Sequence, residues 1–199
     1  MPAMPKAASI NSDPAIDPAV DSNSIAYPLN DFYNRKGHLL PPLEEVDPET
    51  VPQPYKALLV HQNDMTSTLE NHHGAAIHLR IVSKLRRGDD YFREVALLLE
   101  GSEKPVEFGA IKINLALFPQ AAREEILEEH WPLGRVLKEH NIKFSSQPRG
   151  FLRVASDKLI NSVLHLNGAH LLYGRRNTLS DTAGQSLAEI VEILAPASK

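Results

Sequence analysis

The side chains best suited to chemistry in this sequence are charges set among apolar residues in strand-like patterns. Residues 90–99 read DYFREVALLL, aromatic and β-branched, between Arg87-Gly88-Asp89 and Glu100-Gly101-Ser102. Strand alternation puts Tyr91, Arg93, Val95, Leu97 and Leu99 on one face and Phe92, Glu94, Ala96 and Leu98 on the other. Apart from Arg93, the first face is apolar or aromatic, so it is expected to look into the core. A guanidinium placed there needs a partner, because an unpaired buried charge is costly. Its planar fork of donors suits a carboxylate. Two readings follow: Arg93 receives the carboxylate of a small ligand, or it belongs to an internal ion pair or reaches solvent at a strand end.

Other charges raise the same question. Glu192 shares a strand face with Ile190 and Leu194, whereas Glu189 shares the opposite face with Leu187, Val191 and Ile193. One of the two carboxylates must point inward or sit at a strand end. A carboxylate and an arginine facing one cavity would pin a polar ligand at both ends; the alternative is a structural Arg–Glu pair, and the pattern does not choose. Gly174-Arg175-Arg176-Asn177 sets two cations beside a turn, for a site or for solvent. In Pro132-Leu133-Gly134-Arg135 a glycine inside a short helix costs about 1 kcal/mol, which close approach of a backbone, a ligand or ordinary packing would explain. His61, His72, His73 and His78 match neither H-x-x-x-H nor H-E-x-x-H, so no metal is expected. No G-x-S-x-G, P-loop or G-x-G-x-x-G is present, which leaves hydrolase, NTPase and dinucleotide folds without support.

The elements that must position these residues follow from periodicity and turns. Residues 1–27 are rich in Pro, Ala, Ser, Asn and Asp and are expected to form a disordered tail. Residues 28–199 are expected to form one domain, with the proline-rich stretch 28–54 wrapped over it in extended form. Residues 54–61 and 64–71 read as short helices, the second capped by a Ser67/Glu70 box or by Asp64 and ended at Gly74. Residues 75–86, 90–99 and 105–115 make a three-strand meander. Helices follow at 119–130 and 132–140, then a strand at 150–154, a helix at 157–166, and strands at 170–178 and 186–194. The fold class is α+β with an antiparallel sheet. At 199 residues, 42% hydrophobic, 23% charged and a net charge of −4, the chain offers nothing that favours nucleic acid or acidic membranes. It has no cysteine, which fits a reducing cytoplasm, and no apolar run long enough for a membrane span.

Taken together, six short motifs resemble the bacterial chorismate lyase family. They are Asp64-Met65-Thr66, Tyr91-Phe92-Arg93-Glu94, Gly109, Pro132-Leu133-Gly134-Arg135, Gly174-Arg175-Arg176 and the C-terminal Glu192-x-x-x-Pro196-Ala197-Ser198. The resemblance runs from about Lys56 to the C-terminus. It implies a six-stranded antiparallel sheet with helices packed on one side and flap-like segments over an enclosed ligand site. It implies cofactor-free elimination of pyruvate from chorismate to give 4-hydroxybenzoate, a precursor for quinone biosynthesis. By matching motif, Arg93 would bind the ring carboxylate, Glu192 would sit near the 4-position oxygen with Glu189 as the alternative in register, and Met65 and Leu133 would contact the ring.

One position departs from the family. An arginine follows the family's glycine, and here Gly109 is followed by Ala110. Lys112, roughly 7 Å further along the strand, or Arg175, is expected to supply that cation to the pyruvyl end. The rival reading is a non-catalytic binding domain for an aromatic carboxylate, since effector-binding domains of some bacterial transcription regulators resemble the same fold. The Pro-rich start, without helical periodicity, favours a stand-alone enzyme; the lost arginine favours the binder.

Overall fold

The computed structural model describes residues 21–197. Most of the expected tail, residues 1–20, lies outside the described residues. Its last part does not stand apart from the domain: Ala26 and Tyr27 are buried.

The elements in chain order are α1 (Leu29–Arg35), β1 (Leu43–Val46), α2 (Tyr55–Leu59), α3 (Met65–His73), β2 (Ile77–Arg87), β3 (Asp90–Leu99), β4 (Lys104–Asn114), α4 (Gln120–Glu128), α5 (Leu133–Glu139), β5 (Ser145–Ala155), α6 (Lys158–Leu164), β6 (Leu171–Ser180) and β7 (Ser186–Leu194). The fold is α+β, and every strand pairing is antiparallel. The described residues form one sheet of seven strands, in the order β1-β5-β6-β7-β4-β3-β2. The expectation of six strands missed β1, a four-residue strand paired with β5. The stretch 28–54 is accordingly not merely extended. It carries α1, whose Leu29, Phe32 and Tyr33 are almost fully buried.

Helices cover both faces of the sheet, not one side as expected. The Phe92, Ala96 and Leu98 side of β3 packs on α1 and on Ile160, Val163 and Leu164 of α6. The opposite side of β3 packs on two groups of helices. Tyr91 joins Ala122 and Ile126 of α4 and Val136 and Leu137 of α5. Val95, Leu97 and Leu99 join Leu58 and Leu59 of α2 and Met65 and Leu69 of α3. This double cover explains why both alternating faces of residues 90–99 are apolar: a strand buried on both faces reads as a near-continuous hydrophobic run. The segments above the Arg93 side are the ordinary helices α3 and α5 rather than flaps.

Candidate functional site

Between the two helix groups on the Arg93 side lies a small pocket of about 60 Å³, room for several water molecules. Strand phase builds its floor. In the β3–β4 register Arg93 faces Ile111, Val95 faces Gly109 and Leu97 faces Glu107, and Glu192 of β7 sits opposite Gly109. All of these line the pocket. The roof comes from the starts of two helices, Met65 and Thr66 of α3 and Leu133 and Gly134 of α5. Asp64 caps α3 by accepting from the Ser67 amide at 2.9 Å, so it prevails over the capping box. A side chain at Gly134 would place its Cβ 3.1 Å from Asp64 Oδ1 and 3.3 Å from Thr66 Oγ1. The glycine is there because α5 meets the start of α3 at close range.

Arg93 is 2% exposed. Its Nη2 donates weakly to the Trp131 carbonyl at 3.4 Å, while Nε and Nη1 are buried without a hydrogen-bond partner. Burial lowers its pKa to about 10, against the field of Tyr91 and Glu129, so it stays charged near neutral pH. The nearby carboxylate of Glu129 is taken: it accepts from Lys84 at 2.7 Å and from the Tyr91 hydroxyl at 2.5 Å.

Arg175, expected to meet the ligand, is fully committed elsewhere. It is completely buried and pairs with Glu192 through Nε. It also donates to the carbonyls of Leu59 at 3.2 Å, His61 at 3.1 Å and Asn63 at 3.2 Å. Its role is to hold the loop that delivers Asp64 and Met65 to the pocket and to neutralise Glu192. Lys112 is also misplaced by the sequence reading. It faces Phe92 across the sheet, on the side opposite Arg93, and pairs with Asp90 at 2.8 Å. Glu189 accepts from Arg176 at 2.8 Å and from the hydroxyls of Thr178 and Ser186, away from the pocket. Glu192, not Glu189, is the carboxylate that lines it.

The sequence reading missed Glu107. It is 3% exposed, lines the pocket and leaves Oε2 buried without a partner. Burial first, and then the neighbouring Glu192 charge, hold its carboxyl well above the usual carboxylate range, against the opposing field of Arg175. The signal was present in the phase of β4: residues 107, 109 and 111 share the face of Arg93. The histidines stay apart from this pocket. His61 packs on Arg175, His78 pairs with Glu103, and His72 and His73 meet edge to face at the end of α3. The described residues contain no group of three metal-ligating side chains.

The sheet order and a pocket at the meeting of α3, α5 and the sheet invite comparison with known folds. The fold is similar to that of PhnF from Mycobacterium smegmatis. The superposition has a TM-score of 0.53 at 12% identity and covers 68% of this chain and 64% of PhnF, so this chain spans less than two thirds of that protein. At such identity the likeness shows the fold alone. The effector domain of PhnF (TM-score 0.49, 11% identity, 66% of this chain and 87% of that one) and a GntR-family transcriptional regulator from Bacillus cereus (0.45, 14%, 60% and 92%) are also similar. No protein-family model matches the sequence, and no curated protein matches it.

The expectation of a lyase is corrected here: the solved fold to which this one is similar is that of PhnF, not that of a carbon–oxygen lyase. The pocket agrees with the correction on physical grounds. A substrate with two carboxylates needs two available cations, and the two expected to supply the second do not: Lys112 lies on the opposite face and Arg175 is consumed by Glu192. Chorismate as a partner, its turnover and a place in quinone biosynthesis are withdrawn with the activity. Among the described residues no helix is long and apolar enough to cross a membrane.

Proposed function

We propose that the chain is a small-molecule-binding domain, of the kind that senses rather than transforms its ligand, and that it takes a small monocarboxylate in the pocket at Arg93. The observation that carries this reading is the buried guanidinium of Arg93, whose Nε and Nη1 have no partner among the described side chains and backbone and which lines the pocket. A desolvated charge with unmet donors is costly in the free protein, and a carboxylate arriving in the plane of the fork would supply two acceptors at once. Met65, Leu133, Val95 and Ile111 give an apolar bed for the body of such a ligand. An aromatic acid such as 4-hydroxybenzoate is one candidate occupant, and a short aliphatic acid is another.

The test is calorimetric titration of the full chain with benzoate, 4-hydroxybenzoate and propionate, repeated on Arg93→Leu. At least one acid should bind the native protein. Loss of a charge-assisted, bidentate contact should weaken it by about 2–4 kcal/mol. Unchanged affinity in a folded Arg93→Leu protein would sink the assignment.

A further inference from the structure

Both polar ends of the pocket need an account, and the end remote from Arg93 holds an arrangement that the carboxylate reading does not use. Two residues beyond Arg93 on the same face comes Val95, and two beyond that Leu97, which faces Glu107. Gly109 lies between Glu107 and Ile111 on β4. A Cβ at Gly109 would stand 3.1 Å from Glu107 Oε1 and 3.4 Å from Val95 Cγ2. The carboxyl of Glu107 therefore lies back over the bare backbone of Gly109, towards the middle of the floor. The missing side chain leaves it room to do so.

The groups around Glu107 fix its chemistry. From β7 it meets Glu192, from β6 Arg175, and from β3 only the aliphatic Val95 and Leu97 of the floor, with Arg93 at the far end. Beyond these, Asp64 lines the pocket from the start of α3, and His61 lies against Arg175. Arg175 satisfies one carboxylate, Glu192, directly, and among the described residues no second cation pairs with Glu107. Two adjacent buried carboxylates sharing one nearby cation cannot both stay ionised without cost, so the unpaired one keeps its proton. A protonated carboxyl is a hydrogen-bond donor.

We propose that Glu107 is the second polar anchor of the pocket, donating a hydrogen bond from its carboxyl to a neutral oxygen at the end of the ligand remote from Arg93. The ligand class is thereby narrowed to monocarboxylic acids bearing a hydroxyl or ether oxygen at the far end. This rests on the carboxylate site at Arg93. A second carboxylate on the ligand would meet Glu192 with no available cation, which disfavours diacids.

Calorimetric titration with benzoate and 4-hydroxybenzoate, which differ by one hydroxyl, separates the two ideas. The native chain is expected to prefer 4-hydroxybenzoate by about tenfold, the usual scale for one hydrogen bond in a closed site. Glu107→Gln keeps a neutral donor and should preserve most of the preference. Glu107→Leu should abolish it, bringing the ratio of the two affinities to about one. Circular dichroism melts establish that both variants fold; should Glu107→Leu fail to fold, Glu107→Gln at raised pH decides. With 4-methoxybenzoate, whose ether oxygen can only accept, in place of 4-hydroxybenzoate, the preference over benzoate in the native chain should fade as pH rises through the range where Glu107 ionises, and in Glu107→Gln that fading should be absent. Retention of the preference in folded Glu107→Leu, or identical pH profiles for native protein and Glu107→Gln, overturns the proposal and leaves the Arg93 site standing. If neither acid binds the native protein, or benzoate binds independently of Arg93, the site reading and the proposal fall together.

Discussion

The two faces of the central sheet are both buried, yet they treat charge in opposite ways. On the Phe92 side every buried carboxylate has a cation. Glu94 pairs with Lys36, and Asp31 of α1 takes Arg87 through two bonds of 2.7 and 3.1 Å. On the same side Arg176 pairs with Glu189, and aromatic and aliphatic packing fills the space between these pairs, with Phe32 edge-on to Phe92 at 6.4 Å. On the Arg93 side one arginine and one glutamate keep unmet polar atoms beside a pocket. A folded chain rarely leaves such groups unsatisfied without a use for them. On the first face the unmet atoms of charged side chains, Glu94 Oε1 and Arg176 Nε, belong to groups that already hold an opposite charge; on the second, Arg93 and Glu107 border a pocket without a direct counterion, which is the basis of the binding site proposed above.

The sharpest way to break this comparison is to remove the buried ion pair of Arg175 and Glu192 on the pocket side. Arg175→Leu leaves Glu192 buried without its partner and strips three carbonyls of their donor, so thermal or denaturant unfolding should report a loss of about 3–5 kcal/mol. Arg175→Leu combined with Glu192→Leu should recover much of it, because no charge is then left alone. If Arg175→Leu is as stable as the native chain, the pair is not the keystone of the α2–α3 loop.

Arg93→Leu should behave in the opposite sense. It removes a buried charge that has no counterion within hydrogen-bond reach, so stability without ligand should be unchanged or rise by about 1–2 kcal/mol while acid binding is lost. Stability and binding moving in contrary directions is the signature of a site residue; a large stability loss would instead make Arg93 part of the scaffold.

Glu94 and Glu107 sharpen the contrast through pH. Burial raises the pKa of both, but Lys36 pulls Glu94 back, whereas Glu107 has no direct cation. In the unfolded chain Glu107 ionises in the ordinary carboxylate range; in the folded chain it holds its proton to higher pH. Between those two values the folded state binds more protons, so stability falls as pH rises. Glu94 contributes in the same direction, moderated by Lys36. Glu107→Met should flatten that fall and raise stability above it by about 1–2 kcal/mol, whereas Glu94→Gln should change the slope less. Equal slopes for native chain and Glu107→Met would show that the carboxyl is ionised in the fold.

How much of this was legible beforehand depended on how local the signal was. Residues 90–99 form a strand-like apolar run between two glycine turns and appear as β3 with the expected ends. Asp64 and Gly74 bound α3 as their cap chemistry requires. By contrast α1 and β1 lie in a proline-rich stretch, and they exist because Phe32, Tyr33 and Leu43 find a distant surface to cover. Arg93 was legible because one strand's alternation suffices to place it. Glu107 and Lys112 were not, because their placement depends on the phase of β4 against β3. Counting from Ala110 fixes only which residues share a side, and the register shows that side to be the one facing Phe92 and Glu94.

Lys112 supplies the smallest expected effect and tests that phase directly. Its ammonium pairs with Asp90, a carboxylate at the start of β3, and lies 6.0 Å from the Phe92 ring centroid. The pair is partly open to water, where such contacts contribute about 0–1 kcal/mol. Lys112→Ala should thus lower stability by no more than about 1 kcal/mol, less at high salt, since screening weakens exposed pairs. Its effect on benzoate or 4-hydroxybenzoate affinity should be negligible, because the β-sheet itself separates it from Arg93. A lysine that reached the pocket would behave otherwise: its loss would weaken a bound anion several-fold and steepen the salt dependence of what remained. Titration of Lys112→Ala at two salt concentrations tells these apart, and a several-fold loss of acid affinity would mean that β4 turns its other face to the ligand.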